Sequence, residues 1–121
     1  MVSSGYLLLI PLVFLAGCSN LDYQNLDPQE FNEIISNDDV FVLDVHIPEQ
    51  DHIKGTDAFI SYDKIRDNID KLPKDKNTKI AVYCRSGTMS EQASKDLIGL
   101  GYKSVYNLVG GRNAYTSYFG G

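Results

Sequence analysis

Tryptophan is absent, and the chain holds only two cysteines and two histidines. Two cysteines exclude a disulfide-stapled scaffold. His46 and His52 lie six residues apart with no third ligand in a recognisable spacing, so no metal centre is expected and a structural or solvated role is favoured for both over a metal pair. Basic residues are scarce: Lys and Arg total 11 against 16 Asp and Glu, a net charge of -5. Without a basic cluster, binding to nucleic acid or electrostatic docking on anionic lipid is not expected. No Gly-rich phosphate loop and no flavin or nicotinamide fingerprint occurs, so no cofactor is expected. No internal repeat or low-complexity tract is present. At 121 residues and 43% hydrophobic content the chain fits one folded domain, neither a multidomain assembly nor a disordered tail.

A long apolar run is also lacking. Tyr6 to Ala16 is broken by Pro11 and is about half the ~20 residues of a spanning helix. Its length suits the apolar part of a secretory signal. The run ends in Leu15-Ala16-Gly17-Cys18, which resembles a bacterial lipobox, although the first five residues carry no Lys or Arg. That resemblance implies cleavage before Cys18 and lipidation of Cys18, which would hold the domain on a membrane of the cell envelope, facing outward. The expected organisation is therefore a removed signal at 1–17, a lipidated tether at 18–25 and one domain at 26–121. With Cys18 acylated, Cys84 has no intrachain partner.

Within the domain, Asp27-Pro28-Gln29-Glu30 reads as a helix start, with Asp as N-cap, Pro at N1 and Glu at N3. Val40 to Val45 is an apolar run interrupted by one acid, Asp44, which suggests a strand covered on both faces. His46 to Gly55 is loop-like, and Ala58 to Ile60 is a short strand. Ser61 to Asp70 places Tyr62, Ile65 and Ile69 at helical spacing. Lys79 to Tyr83 is a second buried strand, Ser90 to Leu100 a helix stopped by Gly101, and Ser104 to Leu108 a third strand. Gly110-Gly111 precede a last helix, Arg112 to Phe119. Strands alternating with helices predict an α/β domain with a mainly parallel sheet.

The chemistry-bearing segment is Tyr83-Cys84-Arg85-Ser86-Gly87-Thr88-Met89-Ser90, between a strand end and a helix start. Ligands gather at the carboxyl ends of parallel strands, and a helix N-terminus aims free N–H groups at one spot. A thiol there is favoured as the thiolate, the nucleophilic form. Arg85 adds a fixed charge, Gly87 allows a tight turn, and Ser86, Thr88 and Ser90 supply hydroxyls. A lone strand-end cysteine is more often structural, but the small polar loop around Cys84 favours reactivity. Asp44 either positions this loop or caps its own. Arg112 either pairs with an acid, faces substrate or lies on the surface, the last being favoured. Tyr106, Tyr115 and Tyr118 read as core and rim.

The Cys84-Arg85-Ser86-Gly87 loop followed by Ser90-Glu91-Gln92-Ala93 resembles the active-site loop of the rhodanese homology domain. Val42-Leu43-Asp44-Val45, His52-Ile53-Lys54-Gly55 and the stretch from Gly101-Tyr102 to Gly110-Gly111 resemble three further family segments in the same order. The resemblance covers about Leu26 to Tyr115. It implies a three-layer sandwich with a mainly parallel, about five-stranded sheet and helices on both faces; a monomer is expected. It implies a sulfurtransferase in which Cys84 takes sulfane sulfur from thiosulfate, a polysulfide or a persulfide, holds it as a persulfide and passes it to a thiol or cyanide. The amides of Arg85, Ser86, Gly87, Thr88 and Met89 would cradle the outer sulfur. The alternatives are a non-catalytic binding module and a persulfide carrier for an exported partner. The family often has Arg where this chain has His46 and Met89, Pro at Lys54 and Trp at Tyr115. The Met89 difference leaves Arg85 as the loop's sole charge and weakens thiosulfate as the natural donor. Cysteine phosphatases need Cys-x5-Arg, but the sixth residue after Cys84 is Ser90.

Overall fold

The computed structural model describes residues 22–37 and 39–120. The expected signal segment and Cys18 lie outside the described residues. Five strands, β1 (Gln24–Leu26), β2 (Val40–Asp44), β3 (Ala58–Phe59), β4 (Lys79–Tyr83) and β5 (Val105–Leu108), form one sheet in the order β1-β5-β4-β2-β3. Every pairing is parallel. Three α-helices complete the domain: α1 (Pro28–Ile35), α2 (Thr88–Gly99) and α3 (Gly111–Phe119).

Period-2 side-chain alternation divides the strands between two cores. Ile80, Val82 and Cys84 of the central strand and its exit join Leu43, Val45 and Val105 in a cluster with Ala93 and Leu97 of α2. Ala81 and Tyr83 point the other way, to Val40, Val42, Phe31 of α1 and Tyr115 of α3. Apolar faces on both sides explain why β2 and β4 read as continuous runs rather than alternating ones. The sheet is thus the middle of three layers, as expected.

The start of α1 follows its sequence signature. Glu30 N–H donates to Asp27 Oδ1 at 2.8 Å, and Asp27 N–H donates to Glu30 Oε1 at 2.9 Å. Phe31, fully buried, sits edge-on to Tyr83 and Tyr115, each at 6.2 Å between ring centres.

Two expectations are corrected. Gln24 and Asn25, expected in the tether, belong to an edge strand paired with Tyr106 and Asn107. Three polar-flanked residues carry no periodic signal, and their conformation comes from the neighbouring strand. Asn107 Nδ2 also donates to Asn25 Oδ1 at 2.9 Å. The helix expected over Ser61 to Asp70 is reduced to a short 3-10 helix at Arg66–Lys71, broken at Asn68, whose φ is -127° and ψ 36°. There the Asn68 side chain donates to Lys64 O at 2.8 Å, replacing a helical backbone bond. Ile65 is buried as its spacing implied, but Ile69 is 48% exposed. Among the described residues, no helix is long and apolar enough to cross a membrane.

Candidate active site

Cys84 leaves the carboxyl end of β4, the strand flanked by β2 and β5. The chain then turns through Arg85 and Ser86 to Gly87, which immediately precedes α2 at φ +113°. Only glycine adopts that φ without strain. The turn brings Gly87 N–H back to Cys84 Sγ at 3.0 Å. The Cys84 thiol donates to Ser90 Oγ at 3.4 Å, and the Ser90 hydroxyl donates to Gly87 O at 3.1 Å. Ser94 Oγ donates to Ser90 O at 2.7 Å, and both serines are fully buried. Ser90, expected only to supply a hydroxyl nearby, is the side chain that touches the sulfur.

The loop is braced from behind. Arg112 N–H donates to Cys84 O at 2.8 Å, and Asn113 N–H donates to Arg85 O at 3.0 Å. These are first-turn amides of α3, which lack partners inside their own helix. In a trans peptide the C=O and the following N–H point in opposite directions. Holding these two carbonyls toward α3 therefore turns the Arg85 and Ser86 amides away from α3. Gly111, at φ +62°, allows this approach: a Cβ there would lie 2.4 Å from the Arg85 carbonyl carbon. The Gly110-Gly111 doublet, which the sequence marks as the end of a family-like segment and the start of a helix, is what permits this brace.

The cradle expected of the loop amides is for an outer sulfur; what the structure shows is their relation to the Cys84 sulfur itself. Among the amides of Arg85 to Met89, that of Gly87 bonds to the sulfur. Arg85, Ser86 and Thr88 are exposed, and half-buried Met89 packs on the core. The sulfur is closed off from solvent: Cys84 is 1% exposed, because the turn at Gly87 and the first turn of α2 close over it. The cavity walled by Val40, Asp57 and Leu72 and the one walled by Ile53, Arg112 and Tyr115 include no residue of the loop.

Asp44 lies at the end of β2 and is fully buried. Oδ1 accepts from His46 N–H at 3.0 Å, capping its own loop. Gln50 Nε2 donates to both Asp44 oxygens at 3.3 Å, and Gln50 Oε1 accepts from Arg85 Nε at 3.4 Å. The link to the cysteine loop therefore runs through Gln50, which the sequence reading did not single out; one glutamine in a polar loop carries no local signal.

The histidines stand apart. His46 Nδ1 bonds to Pro48 O at 2.8 Å. His52 Nδ1 meets Asp44 Oδ2 at 2.7 Å, and its Nε2 meets Glu49 Oε2 at 2.8 Å. Burial lowers the His52 pKa, but the bonds to Asp44 and Glu49 outweigh it, and the net direction is up. Tyr83 is raised by burial, despite accepting from Ile53 N–H at 2.9 Å and meeting Thr56 Oγ1 at 2.8 Å. Arg112, expected on the surface, is only partly exposed, and its Nε is buried without a partner among the described residues. Tyr115 is buried, Tyr106 is half-buried and Tyr118 is 59% exposed.

Comparison with known proteins is decisive for the family. The family model described as the Rhodanese-like domain matches residues 27–118. The chain belongs to the rhodanese-like domain family. A protein named tRNA uridine(34) hydroxylase from Picosynechococcus sp. is 32% identical over 109 residues, covering 78% of this chain and 36% of that protein. A protein of the same name from Acinetobacter baylyi is 34% identical, covering 71% and 29%. The chain thus spans about a third of the length of the curated relatives it matches. Among solved structures, a rhodanese-related protein from Thermoplasma volcanium superposes with a TM-score of 0.66 at 26% identity, covering 78% of this chain and 92% of that one. An NAD-dependent persulfide reductase from A. fulgidus superposes at 0.59 and 25% identity, covering 78% and 16%.

Proposed function

We propose that this rhodanese-like domain is a sulfurtransferase that carries sulfane sulfur on Cys84. The observation behind the reading is the free thiol at the carboxyl end of a central parallel strand, with Gly87 N–H at 3.0 Å from its sulfur and the α2 N-terminus beneath it. In the first half-reaction the Cys84 thiolate attacks the outer sulfur of a donor R–S–S⁻. The donor S–S bond breaks and RS⁻ leaves with its electron pair. In the second, an acceptor thiolate or cyanide attacks the outer sulfur of the Cys84 persulfide, that S–S bond breaks, and the thiolate is regenerated. The amides of Arg85, Ser86, Thr88 and Met89 are assigned to the outer sulfur, alongside that of Gly87.

Two features select the donor. Arg85 is the only charged side chain between Cys84 and Ser90, because Met89 packs on the core. A low-molecular-weight persulfide, with one charge on its reacting group, suits that single arginine better than the thiosulfate dianion. The near-complete burial of Cys84 calls for a small donor and for the loop at Ser86–Thr88 to open. That same burial is what favours the second reading, a binding module or a persulfide carrier that loads sulfur without turning over. A net charge of -5 gives no support for RNA as the substrate of this chain. We also assign Cys18 as a lipid attachment that places the domain on the outer side of a cell-envelope membrane.

Cyanolysis of polysulfide, followed with intact-mass measurement, tests the proposal. The expected result is a gain of one sulfur on Cys84, ping-pong kinetics, and turnover reduced to background in Cys84→Ser. Loading without turnover supports the carrier. Undiminished turnover in Cys84→Ser overturns the proposal.

A further inference from the structure

Outside the cysteine loop, a cavity of about 230 Å³ lies between the segment that follows β2 and helix α3. Its volume is below the roughly 300–1,000 Å³ of pockets for drug-sized ligands, so its occupant is small. Ile53, Tyr115 and Phe119 give it apolar walls, and Lys54 and Arg112 line it as well. Tyr115 and Phe119 pack with ring centres 4.8 Å apart. No carboxylate lines it, in a chain where acids outnumber bases 16 to 11. His52 also borders it, but both its ring nitrogens are taken by Asp44 and Glu49.

Arg112 is the informative residue. Its backbone is fixed by the bond to Cys84 O at 2.8 Å. Its Nε is buried, and no described residue accepts a hydrogen bond from it. A buried donor on a charged group, left without an acceptor, is costly, and native proteins satisfy nearly all such groups. An occupant of the cavity would meet Arg112 together with Lys54, with no carboxylate in the lining to neutralise them. It must carry negative charge to match Arg112 and Lys54, and it must carry an apolar body to cover Ile53, Tyr115 and Phe119.

We propose that this cavity is a binding site for a small organic carboxylate, distinct from the Cys84 loop. The carboxylate accepts from the Arg112 guanidinium, with Lys54 at the rim, and the apolar part lies against the two aromatic rings. The site does not depend on sulfur transfer.

Amide NMR titration of the full chain with benzoate and with benzyl alcohol, its uncharged counterpart, tests this. Benzoate is expected to shift the amides of Ile53, Lys54 and Arg112 to Gly120. A charge-assisted hydrogen bond is worth about 1.5–3 kcal/mol, so benzyl alcohol and the Arg112→Gln variant should each bind at least about tenfold more weakly. Lys54→Gln, at an exposed position, should weaken benzoate several-fold with the fold intact. Equal binding of benzoate and benzyl alcohol, or no benzoate shifts at these amides, overturns the proposal. If Arg112→Gln does not fold, the benzoate and benzyl alcohol comparison and Lys54→Gln decide it in the same way.

Discussion

At the scale of single residues, the site rests on polar groups buried in company. Asp44 is fully buried yet accepts from His46 N–H, Gln50 and His52, so its carboxylate is solvated by the protein instead of water. Its partner His52 has a raised pKa. The sign follows from linkage. A histidine raised above its unfolded value of about 6.5 contributes stability that is fully present below that value and is lost as pH rises through the folded value. Replacing His52 with Gln should therefore destabilise the protein more at about pH 5.5 than at about pH 8. Urea unfolding at both values checks this, and an equal or larger loss at the higher pH would contradict it. Gln50 illustrates what residue patterns hide: its role exists only because β2 and the cysteine loop end side by side, bringing Asp44 and Arg85 to its two ends.

At the scale of elements, two helix N-termini converge on one loop from opposite sides. Helix α2 offers Gly87 N–H to the sulfur, and α3 offers its first amides to the carbonyls of Cys84 and Arg85. The second contact requires Gly111. An alanine there meets a left-handed φ of +62° and the Arg85 backbone at 2.4 Å. Left-handed backbone costs about 1–2 kcal/mol and overpacking about 1–3, so Gly111→Ala should lose about 2–5 kcal/mol. Because α3 must retreat from the loop, sulfur loading on Cys84 should also fall. Denaturant unfolding and intact mass after polysulfide treatment measure the two effects, and a variant that keeps both stability and loading would show that the brace is dispensable. Helix α1 needed no tertiary help to be foreseen, because Asp27, Pro28 and Glu30 form a capping box within one turn. The segment before Arg66 did, because apolar spacing alone did not register that Asn68 bonds to Lys64 O.

At the scale of the whole molecule, a parallel sheet covered on both faces puts the strands' carboxyl ends at one end of the sheet, where Asp44 and Cys84 lie. The acid excess bears on partners and not on the fold. The lipid anchor proposed at Cys18 has a direct test. Metabolic labelling with an alkyne fatty acid should mark the full chain and fail to mark Cys18→Ser, and an unlabelled parent chain would refute the anchor. From the sequence alone came the α/β class, the cysteine loop, the cap of α1 and the strands β2, β4 and β5, because local periodicity and capping chemistry are written in neighbouring residues. Tertiary structure alone decided the edge strand at Gln24–Leu26, the closure over the Cys84 sulfur, the Gln50 bridge and the brace at Gly111. Each of these depends on groups far apart in the chain, and no short-range pattern records which distant backbone or side chain will arrive beside them.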